Sequence, residues 1–188
     1  MAGLRWMNFS GAPALLLPRS AVRTWHGMFS SEPPRRDSKP DLRSDAGDAF
    51  YLHDTFDFAH PMTAYDRLCG DFRDQRAETL IVQIGDFDVF AVSNGSDTFA
   101  WWPDEYAIVS GAERIPDRAG FESIAWTRCH ALEVREREWF LANAALNGME
   151  MKDGSPNLHS VDLEPGLYVI ELARLPNQAL YRLSRSPT

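Results

Sequence analysis

The chain has 188 residues, 44% of them apolar and six of them Trp, with a formal net charge of −8 at pH 7. That much apolar and aromatic content excludes whole-chain disorder, and the acidic surplus repels phosphate backbones, which disfavours nucleic-acid binding. No apolar run approaches the roughly 20 residues of a bilayer span, and the only Cys residues, Cys69 and Cys129, have neither disulfide-framework numbers nor metal-ligand spacing.

The length fits one domain over residues 1–188. Charge is uneven along it. Residues 1–43 hold seven Lys/Arg against three Asp/Glu, and residues 44–188 hold twelve against twenty-four. A body of that sign favours a basic protein partner. Two thiols and an apolar stretch too short for a signal peptide (Ala14–Leu17, closed by Pro18) fit a cytoplasmic protein.

In chain order, Gly11-Ala12-Pro13 reads as a turn into a short buried strand, Ala14–Leu17. Ser20 is placed to cap a short helix over Ala21–Met28, with Val22, Trp25 and Phe29 as its apolar stripe. Residues 30–49, with three Pro, four Asp and four Ser, read as a flexible surface loop. Phe50-Tyr51-Leu52 resumes the fold as a strand. Residues 53–60 (HDTFDFAH) contain ligand-type side chains without the spacing of a metal site, so a solvated turn is expected. Met62–Cys69 reads as a helix capped by Thr63 and ended at Gly70, and Asp71–Thr79 as a charged connector.

The densest apolar stretch, Leu80–Pro103, is punctuated as a hairpin. Leu80–Ile84 stops at Gly85-Asp86, and Phe87–Val92 follows with apolar side chains on both faces, which suits a central strand. Phe99, Trp101 and Trp102 lead to Pro103. Tyr106–Val109 reads as a further strand, and residues 113–120 as loop. Residues 121–146 fit a helix and two strands equally by propensity. Asp153–Asn157 is loop. Val161–Leu163 runs into a Pro165-Gly166 turn and then Leu167–Leu172, a strand ended by Pro176, with Leu180–Leu183 as a short closing strand.

Motifs for a nucleophile elbow, a phosphate loop, a dinucleotide fold, a zinc helix or a C-x-x-C pair are absent from the sequence. No catalytic residue, metal or cofactor is therefore expected.

The order of landmarks resembles a family of bacterial polymorphic-toxin immunity proteins, immunity protein 21. The residues carrying the resemblance are Trp6, Gly11-Ala12-Pro13, Leu15–Pro18, Trp25-His26-Gly27, Tyr65-Asp66-Arg67 with Cys69, Gly85, Trp102-Pro103 and the Val161–Tyr168 stretch. Ala12, Leu68 and Glu164 depart from the family pattern, as does the length of the 30–49 insertion. The resemblance implies strands over 129–134 and 138–144. It thus favours an α+β fold, mainly antiparallel sheet with one or two short helices. It also implies a stoichiometric antidote that binds a cognate toxin, while the acidic charge and the lack of a bilayer-length apolar run lead to no nucleic-acid or membrane partner being expected.

Acidic and aromatic residues gather at Asp97, Trp101, Trp102, Asp104 and Glu105, which makes that turn the candidate toxin-binding site, although both Trp suit a core role as well. Two other functions fit the composition. One is a small-ligand module with a Trp-rich pocket wall; the other is a metal-dependent hydrolase using His53, Asp57 and His60.

Overall fold

The computed structural model describes residues 4–27, 63–93, 95–111, 118–146, 148, 151 and 154–186. The readings made for Phe29, for the 30–49 loop, for Phe50–Leu52 and for His53, Asp57 and His60 lie outside these residues.

Among the described residues eleven strands form two antiparallel sheets. In chain order the strands are β1 Trp6–Asn8, β2 Ala14–Pro18, β3 Thr79–Ile84, β4 Phe87–Val92, β5 Thr98–Trp102 and β6 Ala107–Gly111. The remaining five are β7 Thr127–Val134, β8 Glu138–Asn143, β9 Leu158–Asp162, β10 Gly166–Leu175 and β11 Gln178–Arg185. One sheet has the order β1-β5-β6-β11-β10-β7, and the other β3-β4-β2-β8-β9. Three helices accompany them: α1 Arg19–Val22, α2 Ala64–Gln75 and α3 Arg118–Glu122. The fold is α+β, and antiparallel sheet dominates it. Among the described residues no helix is long and apolar enough to cross a membrane.

The sheets pack face to face. Leu16, Phe90, Val92, Trp139, Leu141 and Val161 from the five-stranded sheet meet Phe99, Trp101, Ile108, Leu132, Ile170 and Tyr181 from the six-stranded one. The outer face of the five-stranded sheet is apolar too. There Leu15, Leu17, Val89, Ala91 and Phe140 lie under Val22 of α1, Trp25, and Tyr65, Leu68 and Phe72 of α2. Both faces of β4 are therefore buried from Val89 to Val92, as its apolar content beyond Asp88 requires. β4 lies between β3 and β2. Its hairpin with β3 turns at Gly85-Asp86, where Gly85 takes φ 62°, a conformation glycine adopts without steric cost.

The α2 helix starts as expected and runs further. The Thr63 Oγ1 accepts from the Asp66 N–H (3.1 Å), and the Asp66 carboxylate accepts from the Thr63 N–H (3.0 Å), a reciprocal cap. Gly70 does not end the helix. Phe72 continues the stripe of Tyr65 and Leu68, and its burial extends α2 through part of the expected connector to Gln75, capped by Arg76 at φ 50°. The first helix is shorter than expected, one turn over Arg19–Val22, and Ser20 is not its cap. Instead the Ser20 N–H (2.9 Å) and Oγ–H (2.5 Å) donate to the Glu136 carboxylate. Residues 127–143 form the two strands β7 and β8, which settles the helix-or-strand alternative there. The Pro165-Gly166 turn does not close a hairpin: it carries the chain from β9 in one sheet to β10 in the other.

An acidic surface at one end of the sandwich

Several connections meet at one end of the sandwich. The 3-10 turn Pro103–Glu105 joins β5 to β6, Arg135–Arg137 joins β7 to β8, and Leu163–Pro165 joins β9 to β10. Arg137 ties the last two together, its guanidinium donating to Glu164 (2.8 Å) and Asp162 (3.2 Å). Arg135 donates to Glu133 (2.7 Å) and to the Asp86 carbonyl (3.2 Å), which draws in the β3–β4 turn. Arg185 donates to the Pro165 carbonyl (2.8 Å). Asp88 lies close enough to act on Arg135. With Asp104, Glu105, Glu136 and the Arg19–Glu138 pair, the described residues gather nine carboxylates against four guanidiniums at this end.

Tyr106 stands in the middle of this surface. It and Leu167 are the large hydrophobic side chains that the described residues leave exposed, at 45% and 51%. Tyr106 takes φ 47°, a left-handed conformation that is rare for a bulky residue. Three contacts hold it there. Its N–H donates to the Pro103 carbonyl (3.2 Å), its carbonyl accepts from the Leu183 N–H (2.8 Å), and its ring meets Trp101 edge-on at 6.2 Å. A groove of about 310 Å³ runs beside it, lined by Trp101, Pro103, Tyr106, Arg137, His159, Ser160, Asp162 and Glu164. His159 is half-buried there, and loss of water around its ring, with Arg5 nearby, lowers its pKa. Asp104 and Glu105 make no ion pair or hydrogen bond with other described residues, so their charge is free for a partner.

The five expected site residues divide. Asp97, Asp104 and, in part, Glu105 are on the surface. The two Trp are not, and this corrects the expectation of exposed aromatic hot spots. Trp101 is 3% exposed and points between the sheets. Trp102 points the other way, 8% exposed, and packs edge-on against Phe121 of α3 at 5.0 Å. Successive residues of a strand face opposite sides, and here both sides are covered. Trp101 is the Trp among the residues that line the groove. Asp97 lies at the other end of β5 from Asp104 and Glu105, where its backbone carbonyl accepts from the Phe9 N–H (2.6 Å). Tyr106, Arg137 and His159 were not singled out from sequence. The signal available was Asp-Glu-Tyr directly after a strand-ending Pro103.

A second groove, about 290 Å³, lies beside α2 and is lined by Tyr65, Cys69, Phe72, Arg73, Gly11, Pro13 and Ser93. Both cysteines are free thiols, and burial raises the pKa of each, which keeps them protonated and weakly nucleophilic. Among the described residues no group of three His, Cys, Asp or Glu side chains is placed to hold a metal ion.

Comparison with family models, curated proteins and solved structures finds no match to this chain.

Proposed function

We propose that the protein is an immunity protein: a stoichiometric inhibitor that neutralises a basic protein toxin by covering it with the acidic end of the sandwich. The observation that carries this reading is Tyr106, an exposed ring clamped in a left-handed turn and flanked by the unpaired carboxylates of Asp104 and Glu105. A rigid aromatic in an acidic rim supplies contact area with little entropy left to lose, and strain held at an exposed residue marks a position kept for binding. The net charge of −8 would steer such a surface onto a basic partner. The order of sequence landmarks shared with the immunity proteins supports the same function.

The test is co-expression. The protein encoded beside this one is induced in a sensitive bacterium, alone and together with this chain. Growth arrest that the chain reverses, with co-purification of the pair, supports the reading; absence of toxicity, or rescue without a complex, refutes it. Changing Asp104 and Glu105 together to Lys should weaken the complex by about ten-fold or more at physiological salt, mainly through the association rate, and leave folding intact. Unchanged affinity would remove this surface from the interface.

A further inference from the structure

We propose that the partner binds by strand addition, an extended segment pairing with the edge of β9 that the described residues leave unpaired beside the Tyr106 groove. This rests on the reading above and specifies its binding mode.

A two-sheet sandwich has four edge strands, here β1, β7, β3 and β9. Two of them close on each other: β3 meets β7 where the Thr79 hydroxyl bonds the His130 ring nitrogen at 2.9 Å. The edge of β7 is further protected by a register shift opposite Ile170 and Glu171 and by the exposed Arg128 and Glu133. β1 is only three residues long. That leaves β9, which among the described residues pairs with β8 alone, although Arg5 beside β1 donates to the Ser155 carbonyl (2.7 Å) just before the strand begins.

The hydrogen bonds show which groups that edge presents. Asn143 N–H donates to the Asn157 carbonyl (3.2 Å), and Leu163 N–H to the Arg137 carbonyl (2.9 Å), both in the register of the β8–β9 ladder. Bonded and non-bonded pairs alternate in an antiparallel ladder, so His159 and Val161 also turn their backbone groups to β8. Leu158, Ser160 and Asp162 turn theirs outward. The Leu158 N–H is taken by the Ser155 carbonyl (3.3 Å). The N–H and C=O of Ser160 and of Asp162 have no backbone partner among the described residues, and both residues line the groove. An unpaired edge next to a cleft that can accept alternate side chains is the requirement for strand addition. The adjacent free carboxylates of Asp104 and Glu105 give the incoming segment its chemistry: extended, with a Lys or Arg near the turn.

The decisive variant is Ser160→Pro. Ser160 is exposed and its N–H points away from β8, so proline deletes the edge donor without removing a ladder bond, a setting in which a strand accepts it. The probe is the protein encoded by the adjacent gene, inactivated. The dissociation constant of its complex should rise about ten-fold with Ser160→Pro, through loss of an edge hydrogen bond and of the pairing behind it. Hydrogen exchange on the unmodified protein gives a second readout independent of the variant: the Ser160 and Asp162 amides should become protected in the complex. Unchanged affinity together with unprotected amides overturns strand addition while leaving an Asp104/Glu105 interface standing. No complex at all overturns it along with the function on which it rests. A dimer of this chain alone that Ser160→Pro dissolves assigns the edge to self-association and also overturns it.

Discussion

Trp101→Ala separates a binding residue from a core residue at the position where sequence and structure disagree most. The side chain is 3% exposed, inside the cluster that joins the two sheets, with the Tyr106 ring standing on its edge. A Trp buries about 150–250 Å² on folding, which at about 25 cal/mol per Å² corresponds to roughly 4–6 kcal/mol as an upper bound. Measured truncations of buried Phe and Trp cluster at about 3–5 kcal/mol, and we expect the loss to fall in that range. With a urea m-value of about 2 kcal/mol/M, the unfolding midpoint should drop by roughly 1.5–2.5 M. Far-UV circular dichroism is the appropriate probe, because fluorescence would change with the deletion itself. Trp101→Phe should recover more than half of the loss. A destabilisation under about 1 kcal/mol, within the range of surface substitutions, would refute the core assignment and return Trp101 to the candidates for a partner hot spot.

Thr63→Ala removes one half of the reciprocal cap on α2 and should cost about 1 kcal/mol in urea unfolding; an unchanged midpoint would mean the helix is held by Tyr65, Leu68 and Phe72 alone. Stability should also fall on acidification through the histidines. Burial lowers the pKa of both His130 and His159, so the unfolded chain binds more protons than the folded one, and stability present above about pH 6.5 is lost as pH falls below it. The change should be visible between about pH 7.5 and 5 and should flatten in the His130→Gln, His159→Gln pair. A slope unaltered by those substitutions would place the titration elsewhere.

Much of this fold is legible in the sequence where local chemistry and tertiary role coincide. The β3–β4 hairpin needed only alternation and a Gly85-Asp86 turn, and the interior position of β4 followed from apolar residues on both faces. The same two-sided burial hides information elsewhere. Trp139–Ala142 is buried throughout, so it has no period to distinguish strand from helix, and its Ala and Leu favour helix on propensity. Family resemblance pointed to the strands that are there. Gly70 misled because a single glycine costs a helix only about 1 kcal/mol, less than the burial of Phe72 returns. The Pro165-Gly166 turn was visible, but nothing local states that the next strand joins the opposite sheet. At the candidate site the carboxylates were legible as surface residues, whereas Trp101 and Trp102 lie on a strand covered from both sides, a condition set by α3 and the facing sheet. By its apolar run Tyr106 starts a strand; its exposure depends on a left-handed turn that sequence does not announce at a Tyr.

The residues that carry the family resemblance serve the fold almost without exception. The Trp25 indole N–H donates to the buried Ala144 carbonyl at 3.0 Å. A Cβ on Gly27, already at φ 57°, would lie 2.4 Å from the Leu146 carbonyl oxygen, so only glycine permits that approach. Gly11 and Gly85 supply left-handed turns. Leu15–Leu17 lie in the core, and the Tyr168 hydroxyl fastens the β9–β10 crossover by donating to the Glu164 carbonyl at 3.0 Å. Chains sharing these landmarks would share a sandwich, because each landmark solves a turn or a packing problem. Partner choice needs no such solution, and it falls to residues between the landmarks. The proposed surface has that property: Asp104, Glu105 and Tyr106 follow directly on Trp102-Pro103, where the shared pattern stops, and Ser160 precedes the Val161–Tyr168 stretch. Recognition can then vary on a constant scaffold, because changes to exposed, unpaired side chains cost little stability. A resemblance of this kind therefore bears on the fold more than on a partner, and under the proposed function the partner's identity would be read from the turn and the edge strand.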